Sequence, residues 1–208
     1  MKTLTIENFL NKNDYPLVEN LEGNNEPFFD TEGVYQGEQT STQQWINPTG
    51  DFAKYIKSKL SVNEYLKNNT IDGIQILRAI KPYDVHSDYI VQNNQVPISN
   101  PKTHPPTYTV VIPIIEGTYS TIVFDQEAIF NNFIDYKKNN PILESYCSDN
   151  DWQKYCSHCH NDDQKYLTIK EVFNWTKGTL FAFNRKLFHC SANFGESSKK
   201  AIIIWLSR

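Results

Sequence analysis

Long apolar runs are missing from this 208-residue chain. The longest, "TVVIPII" and "AIIIWL", fall far short of the roughly 20 residues that cross a bilayer, so no membrane partner is expected. The opening "MKTLTIENFLNKNDYP" lacks the apolar core of a secretory signal. Positive charge is not in excess: 20 Lys and Arg against 24 Asp and Glu give a formal net charge of −4. That is not the basic footprint that draws a domain to nucleic acid. Cysteine is sparse, at positions 147, 156, 159 and 190. Without a secretory signal these are expected as reduced thiols rather than a disulfide framework. No internal repeat and no low-complexity linker divides the chain. The expectation is one cytoplasmic domain with neither nucleic acid nor membrane as partner.

Also missing is the regular alternation of strand and helix that a parallel sheet requires. "DFAKYIKSKL" carries Phe52, Tyr55, Ile56 and Leu60 at helical spacing, which predicts an amphipathic helix. Around it, "TIENFLNKNDYPLVENL" reads as a short helix after a few apolar positions, and "EPFFDTEGVYQGEQTSTQQWI" as turns and short strands. From residue 71 the texture becomes β-type: "IDGIQILRAI", "TYTVVIPII", "YSTIVFD", "TLFAFN" and "AIIIWLS". One helix, "EAIFNNFIDYKKNN", and a polar stretch over 141–170 interrupt this series. The reading is an all-β core with added helices, a jelly roll. Residues 1–70 act as mixed support, 71–125 and 171–208 form the core, and 126–170 form an insertion or lid bordering the site. The loops 30–50, 92–106 and 126–170 are expected to shape a substrate pocket, since loops on such scaffolds carry specificity.

What the chain does have is "DVHSDYI" over 84–90. Residues two apart on a strand face the same way, so His86 and Asp88 can offer two metal ligands at once. A third candidate is His189, just after "TLFAFN", followed ten and eleven residues on by Lys199 and Lys200. Alternation does not choose between these lysines. One face of the last strand carries Lys199, Ala201, Ile203 and Trp205, and the other carries Lys200, Ile202, Ile204 and Leu206.

H-x-D, a strand pair, an insertion, a distal histidine and then a cation: over roughly 71–208 this pattern resembles the Fe(II)/2-oxoglutarate-dependent dioxygenases of phytanoyl- and prolyl-hydroxylase type. The resemblance rests on "LRAIKPYDVHSDY", "TYTVVIPI" and "KGTLFAFNRKLFHCSANF…KKAIIIWL". It implies a cupin-like double-stranded β-helix and an iron held by His86, Asp88 and His189. Two imidazoles and a carboxylate on one face leave positions for 2-oxoglutarate and O2. Oxidative decarboxylation to succinate and CO2 then drives hydroxylation of a polar small molecule, a sugar or a peptide side chain. The far carboxylate of 2-oxoglutarate needs a buried cation. By the same resemblance Lys199 takes that place in preference to Lys200, with Tyr108, Thr109 and Ser191 as hydroxyl partners. Radical halogenases of the family replace the carboxylate ligand with Gly or Ala; Asp88 is present, which favours hydroxylation. The paired arginines of nucleic-acid repair relatives are absent.

Arg78, Arg185 and His158 are candidates for substrate contacts, each with an ordinary structural reading beside it. Cys156-x2-Cys159, with His158, His160 and Cys147, has the ligand types of a zinc site, although reduced cysteines are the plainer reading. Cys190 is expected as a small residue beside the metal. Trp175, Trp205, Phe181 and Phe183 are expected in the core. Two other readings remain open: a jelly-roll binding module with incidental histidines, and a cupin-type metalloenzyme that makes no use of 2-oxoglutarate.

Overall fold

The computed structural model describes residues 3–19, 27–35, 38–47, 49–88, 108–128, 133–195 and 198–207. The strands among them are β1 (Leu4–Ile6), β2 (Pro27–Tyr35), β3 (Glu38–Ile46), β4 (Thr70–Ala79), β5 (Tyr108–Pro113), β6 (Ser120–Glu127), β7 (Ile169–Asn174), β8 (Leu180–Asn184), β9 (Leu187–Ser191) and β10 (Lys199–Ser207). The helices are α1 (Tyr15–Glu19), α2 (Asp51–Leu60), α3 (Phe133–Asn139) and α4 (Asp149–Cys156), with a 3-10 turn over Asn161–Tyr166. None is long and apolar enough to cross a membrane.

The strands form two sheets. The larger runs β1-β8-β5-β10-β4-β3-β2 and the smaller β7-β6-β9. Every pairing in them is antiparallel, so neighbours need no crossover helices. β10, with three consecutive isoleucines, sits mid-sheet between β5 and β4. Its two faces serve two cores. Ile202, Ile204 and Leu206 pack with Ile74, Ile76, Val110 and Ile112 under the buried stripe of α2, Phe52, Ala53, Ile56 and Leu60. Ala201 and Ile203 face the other way and meet Val111, Val123, Phe181, Phe183 and Leu187 between the sheets. A third core covers the outer side of the small sheet, where Trp152, Cys156 and Leu167 of the insertion pack on Ile122, Phe124 and Phe188. A left-handed turn at Gly178, φ 78°, precedes β8. Any Cβ there would lie 2.1 Å from the Leu10 carbonyl oxygen, and Leu10 N donates to Gly178 O at 2.9 Å.

Several expectations need correction. The stretch 27–46 is a hairpin of two nine-residue strands. β6 continues through Glu127, and of the helix expected from "EAIFNNFIDYKKNN" the described residues show Phe133–Asn139; Ile129 and Phe130 lie outside them. The polar segment 141–170 holds α4, capped by the Ser148 hydroxyl accepting from Asp151 N at 3.1 Å. The connection "RKLFHCSANF" contains β9, which carries His189. β9 is only five residues long and buried throughout, so it shows no alternation for periodicity to detect.

Candidate functional site

His86 and Asp88 leave the sheet just after β4. The backbone of His86 makes a single bridge to β9: His86 N donates to His189 O at 3.0 Å and His189 N to His86 O at 2.8 Å. That pairing brings the two imidazoles to 4.3 Å between ring centroids. Each Nδ1 lies against a backbone carbonyl, His86 on Asp84 O at 2.7 Å and His189 on Leu187 O at 3.1 Å. With the proton on Nδ1, each Nε2 keeps its lone pair for a ligand. His189 Nε2 lies 3.6 Å from Asp88 Oδ2, and His86 Nε2 lies 4.0 Å from Asp88 Oδ1. The three ligand atoms are all within 4.8 Å of one another. Ligands about 2.1 Å from one ion, at right angles, sit about 3 Å apart, so the set fits a first-row divalent metal after closing by roughly 1 Å.

The neighbours hold this arrangement. Thr109 Oγ1, on β5, donates to Asp88 Oδ2 at 2.6 Å, and the Trp205 indole on β10 donates to the same carboxylate. Burial would push the Asp88 carboxyl up. The two imidazoles and these two donors outweigh it and hold the carboxyl below its ordinary value. Burial, with help from His86, pushes His189 down to about 4, so its imidazole is neutral and ready to ligate near neutral pH. Arg185 secures the backbone: its Nη1 pairs with Asp72 at 2.9 Å and its Nη2 donates to Asp88 O at 3.4 Å.

The triad opens on a cavity of about 260 Å3 between the two sheets. Its far wall holds Lys199, only 4% exposed. The Lys199 ammonium donates to Ser191 Oγ and lies 4.7 Å from the Trp175 ring centroid and 5.5 Å from that of Phe194. No carboxylate among the described residues pairs with it. Burial pushes it down to about 7. Gln43, Gln75, Tyr83, Trp45 and Trp205 also line the cavity, with the aliphatic Leu77, Val111 and Ile203. Trp45 and Trp205 stack with centroids 5.1 Å apart. Gly73 makes room for them, since a Cβ there would meet Trp205 at 3.2 Å and Trp45 at 3.4 Å. Gln75 Oε1 is buried and accepts no hydrogen bond among the described residues.

The structure thus brings His86, Asp88, His189, Thr109, Ser191 and Lys199 to one cavity. It does not bring the other candidates there. Lys200 lies on the opposite face of β10, beside Tyr15, Ile114, Glu116 and Lys177. Tyr108 likewise packs on the α2 side of the sheet. The period-two alternation that turns Thr109 and Lys199 inward turns both of these outward. Arg78 is exposed and donates to Ser198 Oγ at 3.2 Å. Arg185 is held by Asp72, outside the cavity wall. His158 contacts the Tyr83 carbonyl and Cys159 instead. Among the described residues, none of 126–170 lines the cavity; the expected loop 92–106 lies outside them. Trp175 belongs to the core between the sheets and Trp205 packs against it, as expected, and both also line the cavity. Sequence reasoning missed Gln43 and Gln75. Gln75 left a usable signal, as an amide set between Ile74 and Ile76 in the run "IQIL".

No model of a known protein family matches the chain, and no curated protein matches it. Solved structures do. An oxidoreductase of the 2OG-Fe(II) oxygenase family from Burkholderia pseudomallei superposes with a TM-score of 0.57 at 11% identity, over 99% of this chain and 84% of that one. EctD from S. alaskensis, solved with 2-oxoglutarate and 5-hydroxyectoine, gives 0.56 at 9%, over 99% and 71%. A Pseudomonas putida prolyl-4-hydroxylase gives 0.52 at 10%, over 99% and 92%. The chain therefore has the double-stranded β-helix fold of the 2OG-Fe(II) oxygenases. At such identities the likeness is one of fold, and function is decided by the residues of the site.

Proposed function

We propose that this protein is an Fe(II)/2-oxoglutarate-dependent oxygenase that hydroxylates a polar small molecule, a sugar or a peptide side chain. The observation that carries this reading is Lys199: a buried cation with no carboxylate partner among the described residues, facing the same cavity as a two-histidine, one-carboxylate ligand set. A buried charge is costly unless something pairs with it, and a dicarboxylate bound to the metal at one end supplies the pair.

His86, Asp88 and His189 hold the iron through two Nε2 atoms and a carboxylate. Iron bound there supplies O2 activation, coupling the oxidation of 2-oxoglutarate to succinate and CO2 with oxygen insertion into a C–H bond. Thr109 and Trp205 fix the plane of the Asp88 carboxylate. Lys199 and Ser191 receive the far carboxylate of 2-oxoglutarate. A lysine is a point contact rather than a fork, so the Ser191 hydroxyl completes the anchor. Gln43, Gln75 and Tyr83 face the remaining space and hydrogen-bond the primary substrate, with Gln75 Oε1 available to accept from it.

The test is anaerobic addition of 2-oxoglutarate to the protein loaded with Fe(II). The expected result is a visible charge-transfer band, absent with succinate, that saturates with 2-oxoglutarate. Tight metal binding with no response to 2-oxoglutarate would leave a metalloprotein of the same fold that does not use it. No metal binding would leave a jelly-roll binding module.

A further inference from the structure

Three buried thiols and one imidazole cluster on the outer face of the small sheet, behind the cavity wall to which Cys190 also contributes. We propose that Cys156, His158, Cys159 and Cys190 form a second metal site, of the closed structural zinc type. Cys156 Sγ and Cys190 Sγ are 3.7 Å apart. Cys159 Sγ is 3.3 Å from His158 Nε2, and the Cys159 thiol also contacts those of Cys156 and Cys190. The ligand atoms of His158, Cys159 and Cys190 lie within 4.8 Å of one another. Around a tetrahedral zinc, bonds of about 2.3 Å to sulfur and about 2.0 Å to nitrogen put neighbouring ligands roughly 3.5–3.8 Å apart. The Cys156–Cys190 pair has that spacing, the Cys159–His158 pair is slightly closer, and Cys156 must move toward His158 to complete the set.

The local chain explains the convergence. Cys156 ends α4, and Cys159 N donates back to Cys156 O at 2.8 Å, so a tight turn presents Cys156, His158 and Cys159 together. Cys190 reaches them from β9. All three thiols are at most 5% exposed, and His158 Nδ1 is buried with no hydrogen-bond partner among the described residues. Thiol-to-thiol contacts are weak hydrogen bonds, so without an ion this polar set is poorly matched. Three thiolates with an imidazole select zinc, whereas the nitrogen and oxygen set of the triad suits iron. The structure excludes two ligands that the sequence offered. The Cys147 thiol donates to Ser148 O at 3.7 Å and His160 Nδ1 accepts from Asp162 N at 3.2 Å to cap the 3-10 turn; neither joins the ligand group of His158, Cys159 and Cys190.

The position gives the site a role. Cys190 adjoins His189 on β9. His158 Nε2 hydrogen-bonds the Tyr83 carbonyl at 3.1 Å, a contact that ligation through Nε2 replaces. An ion here ties the insertion, through Cys190, to β9, the strand that carries His189.

The test uses the full chain and Co(II) alone as the first probe. A cobalt–thiolate charge-transfer band with strong tetrahedral ligand-field absorption is expected, and Zn(II) should displace it. The triad contains no sulfur, so this band cannot arise there. Zinc should also remain at one ion per chain after dialysis, apart from metal on the triad. Cys159→Ser and His158→Gln should weaken its retention at least about tenfold, and Cys147→Ser should not. Wild-type protein that binds Co(II) without a thiolate band overturns the proposal, whatever the variants do. So does a thiolate band lost in Cys147→Ser but kept in Cys159→Ser, or a Cys156–Cys190 disulfide that forms in the presence of Zn(II).

Discussion

Lys199 and Asp88 carry opposite charges in the same cavity and respond oppositely to pH. Lys199 has its proton affinity lowered by burial, from about 10.5 when exposed to about 7. Between those values the unfolded chain binds more protons at this residue than the folded one. Stability from this residue therefore rises with pH across the window, and its burial is most costly below pH 7. Unliganded Lys199→Met protein should be more stable than wild type at pH 6.5, with the advantage shrinking toward pH 10; urea melts across that range check it. The cosubstrate reverses the preference, because a carboxylate on Lys199 favours the ammonium form. Affinity for 2-oxoglutarate should accordingly fall, by up to about tenfold per pH unit above 7, and calorimetry in buffers of different ionisation heat should show proton uptake. Lys199→Ala should weaken 2-oxoglutarate binding by about 2–5 kcal/mol, or roughly 30-fold to several thousand-fold, while Fe(II) binding changes little. Asp88→Ala should abolish turnover and weaken Fe(II), because it removes the only anionic ligand and leaves the Thr109 and Trp205 donors unmatched.

Strand alternation decides which residues reach the cavity, and this is where the sequence was partly legible. The H-x-D spacing gave His86 and Asp88 a common direction, and resemblance placed His189. Lys199 and Lys200 could not be separated by pattern, because both faces of β10 are apolar: one meets α2 and the other the small sheet. Only the register, with Lys199 opposite Ala79 and Trp205 opposite Thr109, fixes which face looks inward. Lys200→Ala should therefore leave 2-oxoglutarate affinity within about twofold, measured beside Lys199→Ala. β9 was illegible for another reason: a five-residue strand buried throughout has no polar alternation to read. Gly73 gives a further check on the same element. Gly73→Ala should press on the stacked Trp45 and Trp205 and reduce turnover of the primary substrate more than it reduces metal binding. Equal losses in both would indicate general unfolding of β4.

Across the whole molecule the work is divided between cores. The α2 side of the large sheet supports; the space between the sheets holds the site; the insertion braces the small sheet from outside. All-β architecture was readable because strand-like segments outnumber the helices between them. The place of the insertion was not, since its apolar residues (Trp152, Cys156, Leu167) are scattered and declare no partner surface until β6 and β9 are assembled. Ile56→Ala, in the supporting core, should destabilise the fold by about 2–5 kcal/mol while changing 2-oxoglutarate affinity less than threefold, read from urea midpoints and binding at low denaturant. The central claim is that His86, Asp88, His189 and Lys199 together hold iron and 2-oxoglutarate. An anaerobic crystal structure with Fe(II) and 2-oxoglutarate, with anomalous data at the iron edge, tests it most directly. The account predicts one iron peak in the cavity at about 2.0–2.3 Å from His86 Nε2, His189 Nε2 and an Asp88 oxygen, with the far carboxylate about 2.7–2.9 Å from Lys199 Nζ. Iron bound elsewhere, or 2-oxoglutarate ordered without contact to Lys199, would contradict it.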